Sequence, residues 1–324
     1  MPSPLVSIGI TCFNARDTVA RAIRSALAQD WPNLEIVIVD DCSTDGSREV
    51  ILATIAKEKR ARLIARTSNG GPGAARNTVV SAAQGEFVAF FDDDDESLPG
   101  RISRQVETLT AYESVFGSGL VACYASGIRR YPNGYTVALP AIGSRGKTVP
   151  HGTAVADYLL TFRLQPDYFY GSGTPACSLL TRRSTIEAVG GFDPELRRVE
   201  DADFAVRLAL LGGHFVGTAE ALFVQYATAA PDKSPERNLE AQQRLVSKHR
   251  DYLEKIGRFD YARRWQKLRY CHFSRRYGQF ARELFGLFVR YPRTVTLHLL
   301  STGPRRLLHE SRMRGKRQAD DGVG

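Results

Sequence analysis

Short apolar runs alternate with amphipathic stretches over the first hundred residues. "PLVSIGITCF", "LEIVIVDD", "RLIAR" and "EFVAFFDDDD" are rich in β-branched and other apolar residues, as expected of strands buried on both faces. The stretches between them favour helices: "ARDTVARAIRSALAQD" places Val19, Ile23 and Leu27 on one side of a helix. This alternation predicts an α/β fold with a doubly wound, mostly parallel sheet flanked by helices.

Polar residues follow each of these four runs. They lie at positions 11–14, 40–41, 69–76 and 92–95. In an open parallel sheet, ligands bind at the carboxyl ends of the strands. The four clusters therefore predict one binding site at that edge of the sheet.

Beyond Arg101 the alternation is weaker. "LVACYASGIRRY" and "TVALPA" predict strands, and Gly- and Pro-rich connections follow as far as Pro175. "ACSLLTRRSTIEAVGGF" predicts a strand and then a helix, whereas "VEDADFAVRLALLGGHF" predicts a helix with acidic residues at its N-terminal end. From about Pro235 onward we expect a mainly helical, Arg-rich region.

Four consecutive aspartates and a glutamate, residues 92–96, follow the apolar run that ends at Phe91. Adjacent carboxylates repel, and desolvation at the end of a buried strand raises their pKa values unless a positive charge is near. A divalent cation offsets both effects, and ligands that are all oxygen favour Mg²⁺ or Mn²⁺, which often bind substrate phosphates. The alternative is a solvated acidic turn without a ligand. The position after a buried strand and beside Asp40 and Asp41 favours a metal and diphosphate site.

The stretch "NGGPGAARN" invites comparison with the glycine-rich loop of dinucleotide-binding enzymes. Gly71 and Gly73 precede a helix, but the third glycine of G-x-G-x-x-G is missing. The stretch also follows the third predicted strand, whereas the dinucleotide fingerprint follows the first. A nicotinamide-dependent enzyme is therefore disfavoured.

Cysteine usage and hydropathy bear on the cellular compartment. The five cysteines are scattered and form no C-x-x-C pair, which argues against a disulfide framework and a zinc site and is typical of a reducing cytoplasm. The first residues lack the basic start and apolar core of a signal peptide. No run of about 18 apolar residues is present, so we expect no membrane-spanning segment.

Charge divides the chain into an acidic body and a basic tail. Residues 1–236 hold 23 Lys and Arg against 27 Asp and Glu, and residues 237–317 hold 21 against 6. The overall formal charge of +9 therefore comes from the C-terminal region. We expect a catalytic domain over residues 1–235, a basic helical region over 236–318 and a short tail over 319–324.

Four motifs together resemble family 2 glycosyltransferases with a GT-A fold. They are "VSIGITCFNARDTVARAIRSALAQDWPNLEIVIVDDCSTDGS", "NGGPGAARN", "FVAFFDDDDESLP" and "RVEDADFAVRLALLGG", in the order that the family shows. The similarity covers roughly residues 5–225. It implies that residues 1–100 form a nucleotide-binding half and residues 101–235 an acceptor-binding half.

The resemblance implies roles for residues on the nucleotide side. Thr11 and Phe13 match positions that line the nucleotide pocket, and Asp41 matches the acid that hydrogen-bonds the base. Arg76 matches an arginine on the same side. Asp92 and Asp94 form the D-x-D pair, with Asp94 as direct ligand of Mn²⁺ or Mg²⁺, and Asp93 is positioned to reach the ribose.

The resemblance also identifies a catalytic base. Asp201, within "VEDADF", matches the family's general base, which takes the proton of the attacking sugar hydroxyl. Taken without the resemblance, Glu200 and Asp201 are better explained as acids that suit the dipole at a helix N-terminus. Glu200 and Gly173 are weaker candidates for the acceptor side.

The function implied is inverting, metal-dependent transfer of one sugar from a nucleoside-diphosphate sugar. UDP is the expected nucleotide, and the acceptor is a hydroxyl of a glycan or of a lipid-linked saccharide in cell-surface polysaccharide assembly. Two alternatives remain open: a nucleotidyltransferase, which would release pyrophosphate, and a non-catalytic sugar-nucleotide-binding scaffold. Processive relatives carry a Q-x-x-R-W element. Here Tyr261 stands where the glutamine is expected before Arg264 and Trp265, which predicts transfer of single residues.

The basic tail interleaves arginine with aromatic residues over positions 258–317. Such a pattern is typical of segments that bind an anionic membrane surface or nucleic acid. It is also found in helices that pack on the catalytic body and leave their arginines in solvent. Phe280, Leu284, Leu287 and Phe288 recur at helical spacing. We expect contact with a membrane surface rather than nucleic acid, hence a cytoplasmic protein that is peripheral on the inner face of the membrane.

Overall fold

The first half of the sheet consists of four parallel strands. These are β1 (Val6–Cys12), β2 (Leu34–Asp40), β3 (Ala61–Ala65) and β4 (Phe87–Asp92), in the spatial order β3-β2-β1-β4. Three helices alternate with them: α1 (Val19–Leu27), α2 (Ser47–Ile55) and α3 (Gly71–Ala82). Strands β1, β2 and β4 are almost entirely buried, as expected of strands covered on both faces. This computed structural model describes residues 3–117, 119–227 and 234–303.

The remaining strands extend the sheet from β4. They are β5 (Glu96–Ser97), β6 (Val121–Arg130), β7 (Thr136–Leu139), β8 (Leu179–Arg182) and β9 (His214–Tyr226). The order continues β4-β8-β6-β9-β5, and β7 pairs with β6. Strand β8 is antiparallel to both β4 and β6, and β5 is antiparallel to β9. The predicted α/β class is confirmed. Its parallel part comprises the first four strands, and the pairings of β8 with β4 and β6 and of β5 with β9 are antiparallel.

Helices connect these later strands. They are α4 (Arg101–Phe116), α5 (Thr153–Thr161), α6 (Arg183–Val189) and α7 (Glu200–Leu210), with a 3₁₀ turn at Ala176–Ser178. Sequence analysis placed only connections before Pro175, so α5 was missed. Its sequence, "TAVADYLLT", is short and has no charged first turn. Burial of Val155, Ala156 and Leu160 stabilises it through tertiary packing rather than through a local signal.

The C-terminal part is helical, as predicted, within the described residues. It contains α8 (Pro235–Lys248), α9 (Arg250–Lys255), α10 (Phe259–Phe273) and α11 (Tyr277–Arg290), and residues 292–303 are also helical. Tyr261, Trp265, Leu268, Leu287 and Val295 form its core. The predicted basic residues beyond 303 and the tail over 319–324 lie outside the described residues.

The chain separates into two compact units. One contains residues up to Arg129, Val137–Ala156 and Gln165–Tyr226, and therefore holds the sheet edge described below. The other contains Arg130–Thr136, Asp157–Leu164 and the chain from Ala227 onward. Among the residues described, none of the helices combines the length and apolar character needed to cross a bilayer.

Candidate active site

The ends of three parallel strands bring the first polar residues together. Thr11 on β1 pairs with Val39 on β2 and with Asp92 on β4, and Cys12 pairs with Asp40. The backbone N–H of Phe13 donates to Asp93 Oδ2 at 3.0 Å. Phe13 itself is 49% exposed at this edge, an unusual exposure for a phenylalanine. It presents a flat apolar surface beside the acidic run.

The acidic run forms a turn between β4 and β5. The pKa of Asp93 is raised to about 7, chiefly by burial; the hydrogen bond from Phe13 lowers it, and the charges of Asp94 and Asp92 raise it. Burial also raises the pKa of Asp95 to about 8, with Asp92 and Asp94 contributing. The turn therefore holds more negative charge than it can keep ionised near neutral pH, and a bound cation would relieve it.

A buried arginine that sequence analysis did not identify lies beneath this turn. Arg101, the first residue of α4, donates to Phe90 O, to Ser97 Oγ and to Gln105 Oε1. Burial lowers its pKa to about 10, opposed by the charges of nearby groups that include Asp95 and Asp92. A single arginine at a helix start carries no sequence signal for burial, because most arginines are exposed.

Asp41 fixes the beginning of α3. Its carboxylate accepts hydrogen bonds from Gly70 N at 3.0 Å and Gly71 N at 2.7 Å, and its Oδ1 lies 2.8 Å from Arg66 Nε. The side chain is buried. Gly71 has φ +81°, a left-handed conformation that favours glycine, and this turn lets both amides point at the carboxylate. Asp41 is thus a structural acceptor as well as the residue expected to contact a base.

Arg76 joins three distant motifs. Its guanidinium, on α3, forms a buried ion pair with Glu200 at the start of α7, and its Nη2 lies 3.4 Å from Asp92 Oδ1 at the end of β4. Burial lowers the pKa of Arg76, but the charges of Glu200, Asp92 and Asp201 outweigh burial and leave it above its ordinary value. The structure therefore brings together Arg76, Asp92, Glu200 and Asp201 in one electrostatic cluster.

Within this cluster, Asp201 lies in the first turn of α7. Its pKa is raised to about 7, chiefly by burial and then by the charge of Glu200, and the charge of Arg76 opposes both. The preceding helix cap, Val199, has φ +60°. A β-branched residue in the left-handed region is an outlier, and such strain is concentrated at functional sites. The strained cap and the poised carboxylate are separated by one residue.

Helices α3 and α7 are tied to the segment between them. Asn77 on α3 donates to Phe192 O and accepts from Phe192 N. Arg207 on α7 pairs with Asp203 at 2.8 Å and donates to the carbonyls of Val189 and Gly191. These contacts connect the helix that carries Arg76 to the helix that carries Asp201. Asp203 and Arg207 thus have structural partners.

Gly173, the weaker acceptor-side candidate, lies in a turn where its N–H donates to Tyr170 O at 3.2 Å. It has φ +86°, and an added Cβ would stand in open space. The turn therefore favours glycine for its backbone conformation rather than for lack of space.

Two further buried residues near the acids were also missed. Tyr124 on β6 is buried, and its hydroxyl has no hydrogen-bond partner among the described residues. Burial raises its pKa, as does the charge of Asp201. Cys177, in the 3₁₀ turn, places its Sγ within 4.8 Å of a carboxylate oxygen of Asp92 and one of Asp95. Neither residue stands in a recognisable motif, so only the fold reveals its neighbours.

A family model and curated relatives match this chain. The model described as Glycosyl transferase family 2 matches residues 7–174, about half of the chain. The succinoglycan biosynthesis protein ExoO of Rhizobium meliloti (strain 1021) is 43% identical over 108 residues, which are 33% of this chain and 30% of ExoO. The chain thus spans less than a third of that relative's length.

A longer match is to an Escherichia coli protein named UDP-Glc:alpha-D-GlcNAc-diphosphoundecaprenol beta-1,3-glucosyltransferase WfaP. It is 29% identical over 211 residues, 64% of this chain and 70% of WfaP. Among solved structures, the mannosyltransferase PcManGT from Pyrobaculum calidifontis, in complex with GDP-Man and Mn²⁺, covers 97% of this chain and 83% of its own, at a TM-score of 0.56 and 18% identity. The structural likeness confirms the predicted GT-A fold.

Proposed function

The chain belongs to glycosyl transferase family 2, and we propose that it moves one sugar from a nucleoside-diphosphate sugar to an acceptor hydroxyl, with inversion at the anomeric carbon. One observation carries the proposal: Arg76 contacts both Asp92 and Glu200. The acidic turn, which suits a diphosphate and its cation, therefore shares a site with the start of α7, which carries a poised carboxylate.

Asp201 is the proposed general base. A sugar hydroxyl is a weak nucleophile until a positioned acceptor takes its proton, and a pKa near 7 suits that task at neutral pH. The hydroxyl oxygen forms a bond to the anomeric carbon while the bond from that carbon to the diphosphate oxygen breaks. The hydroxyl proton passes to Asp201. A single displacement of this kind inverts the configuration and requires no covalent sugar–enzyme intermediate.

The nucleotide is proposed to occupy the edge formed by β1, β2 and β4. Phe13 offers an exposed ring to the base, and Thr11 lines the pocket. Asp93 accepts a hydrogen bond from Phe13 N, so its carboxylate lies beside the proposed base position and is proposed to contact the ribose. Asp41 is proposed to accept a hydrogen bond from the base. Because its carboxylate is already bound by Gly70 and Gly71, base binding would use its remaining acceptor capacity.

Asp92 and Asp94 are the proposed ligands of Mn²⁺ or Mg²⁺. The site fits a cation, because the turn concentrates carboxylates and the buried Asp95 Oδ2 has no hydrogen-bond partner among the described residues. A divalent ion, when bound, stabilises charge on the departing diphosphate. Arg76 contributes a fixed positive charge on the same side, held in place by Glu200. The similar mannosyltransferase, solved with Mn²⁺, supports this assignment.

The acceptor is proposed to be a glycan or a lipid-linked saccharide, and the transfer to be non-processive. Relatives named for succinoglycan synthesis and for a diphosphoundecaprenol acceptor support a role in surface-polysaccharide assembly. WfaP is also named for UDP-Glc, which supports UDP as the nucleotide. Glu200 and Gly173 are proposed acceptor-side residues. A lipid-linked acceptor would place the enzyme in the cytoplasm, peripheral on the inner membrane face.

A donor screen tests the function. We expect one nucleoside-diphosphate sugar, a UDP-sugar, to release its nucleoside diphosphate slowly in the presence of Mn²⁺, even without the natural acceptor. EDTA is expected to abolish the release, and added Mn²⁺ to restore it, because the diphosphate then has its cation again. Luminescent detection of UDP or GDP, with pyrophosphate measured in parallel, makes the assay independent of the acceptor.

Other outcomes of the screen identify the alternatives. Pyrophosphate instead of nucleoside diphosphate would identify a nucleotidyltransferase. Tight binding of a sugar nucleotide in calorimetry, without turnover when a mixture of lipid-linked acceptors is supplied, would identify a binding protein. Unchanged release in EDTA would contradict the metal assignment while leaving the transferase assignment intact.

The C-terminal helices carry a surface suited to an anionic membrane. On α11, Phe285 and Val289 are 72% and 68% exposed, and Arg282 lies beside them on the helix. In residues 292–303, Leu297 and Leu300 are likewise exposed. Exposed large apolar side chains flanked by arginine are typical of helices that lie in a membrane interface. We therefore propose that this surface binds anionic lipid.

Vesicle binding tests that surface. Replacing Phe285 and Val289 together by serine is expected to weaken binding to phosphatidylglycerol-containing vesicles by about tenfold or more. The reason is that serine buries less apolar area in the membrane interface than either side chain does. The matched control replaces Leu52 and Val115, two exposed apolar residues in the other unit, by serine and should bind as the wild type does. Sedimentation at low and high salt measures both. Wild-type protein that ignores anionic vesicles at low salt would contradict the proposal.

A further inference from the structure

Three side chains near the proposed diphosphate site converge as metal ligands would. A carboxylate oxygen of Asp92, one of Asp95 and the Sγ of Cys177 all lie within 4.8 Å of one another. They come from the end of β4, from the turn that follows it and from the 3₁₀ turn before β8. This set differs from the D-x-D pair, since it contains Asp95 and a sulfur atom and omits Asp94.

A second observation concerns one oxygen of this group, Asp95 Oδ2. Asp95 is 5% exposed, and its Oδ1 accepts from Tyr226 N at 3.2 Å. Its Oδ2 is buried and has no hydrogen-bond partner among the described residues. The nearby Arg101 does not fill this place, because its nitrogens donate to Phe90, Ser97 and Gln105. An unpaired buried carboxylate oxygen is costly, and a cation within reach would satisfy it.

We propose that Asp92, Asp95 and Cys177 bind a divalent ion of the Zn²⁺, Co²⁺ or Cd²⁺ class, with the Cys177 sulfur as a direct ligand. The reason is the donor set: two carboxylates and one thiolate suit borderline and soft ions, whereas Mg²⁺ and Mn²⁺ prefer oxygen alone. Binding breaks the S–H bond, releases that proton to solvent and forms the metal–sulfur bond. The ion stays divalent, and nothing is oxidised or reduced.

The three proposed ligands differ in exposure. The Asp92 side chain is 30% exposed, whereas Asp95 and Cys177 are buried, so an ion would enter past Asp92. Asp92 also faces Arg76 at 3.4 Å and is a proposed ligand of the ion that accompanies the donor. An ion bound by Cys177 would therefore compete for Asp92 with the ion that accompanies the donor.

Cobalt absorption tests the sulfur ligand without any substrate. Titrating the metal-free full chain with Co²⁺ should produce a near-ultraviolet thiolate-to-cobalt charge-transfer band that saturates at one equivalent. Cys177→Ser should abolish the band. Asp95→Asn should weaken Co²⁺ affinity by about tenfold, as loss of a supporting or direct ligand does. Cys123→Ser, a buried cysteine on β6 outside the ligand set, is the matched control and should keep the band.

Cadmium NMR keeps the test decisive if a variant fails to fold. Wild-type protein with one equivalent of ¹¹³Cd²⁺ should give one resonance shifted toward the range of mixed sulfur and oxygen ligands. A resonance in the all-oxygen range, no protein-bound cadmium, or a cobalt band that survives in Cys177→Ser would overturn the proposal.

These readouts are independent of the proposed function. A cobalt band in a protein that turns over no donor when lipid-linked acceptors are supplied would leave the metal site standing and contradict the proposed transfer reaction. Turnover with Mn²⁺ in a protein without the cobalt band would support the transfer reaction and contradict the metal site at Cys177. Where both hold, Zn²⁺ should inhibit Mn²⁺-supported turnover, and Cys177→Ser should raise the half-inhibiting concentration by about tenfold.

Discussion

Asp201→Asn is expected to lower kcat by about 10²–10⁴-fold, because asparagine keeps the shape of the side chain but cannot accept the hydroxyl proton. The substitution removes a charge that lies beside Glu200 and is disfavoured there, so it should not weaken folding. Steady-state transfer to the natural acceptor, once the donor screen has identified the sugar nucleotide, measures the effect. Donor binding by calorimetry should change little, because the base acts on the acceptor.

The pH dependence supplies an independent test of the same role. A base must be ionised, and the pKa of Asp201 lies near 7, so wild-type kcat should rise with pH through about 7 and then level off. The residual activity of Asp201→Asn should lack this ionisation. Glu195→Gln, the same change of acid to amide at an exposed residue nearby, is the control and should retain both rate and profile. An Asp201→Asn variant with more than about a tenth of wild-type kcat would exclude the assignment.

Arg76→Met is expected to reduce the free energy of unfolding by about 3–5 kcal/mol. The change leaves Glu200 buried without the guanidinium that forms its ion pair, and an unpaired buried charge is the main cost. Asp92 loses the same neighbour at 3.4 Å, so donor turnover should fall as well. Urea denaturation, followed by tryptophan fluorescence and by circular dichroism, measures the loss of stability.

A double variant separates the cost of the unpaired charge from lost packing. Arg76→Met combined with Glu200→Gln should recover part of the stability, because no charge is left without a partner. Arg24→Met, at an exposed position on α1, is the control and should change the free energy of unfolding by less than about 0.5 kcal/mol. A loss below about 1 kcal/mol for Arg76→Met would show that the pair is more solvated than the structure indicates.

Local patterns were sufficient for the first half of the sheet. Strands buried on both faces require continuous apolar runs, so β1, β2 and β4 are visible directly in the sequence. Because the strands are parallel, their polar carboxyl ends lie at one edge of the sheet. The pairing of Thr11 on β1 with Asp92 on β4 confirms that expectation. Helix α5 shows the limit of such patterns, since its helical state depends on residues that pack against it.

The α/β class and the edge where the polar clusters meet can be predicted from local patterns, and the family can be predicted from the resemblance of four motifs. The partners of several buried side chains cannot: Arg76 pairs with Glu200, 124 positions away, Arg101 lies beneath the acidic turn, and Cys177 lies beside Asp92 and Asp95. The physical reason is that periodicity reports which face of an element is buried, not what lies opposite. A charged side chain at a strand end or helix start is expected to be exposed, and only long-range packing removes it from water and gives it a neighbour. A cysteine is expected to be buried, but its sequence position does not say which side chains surround it.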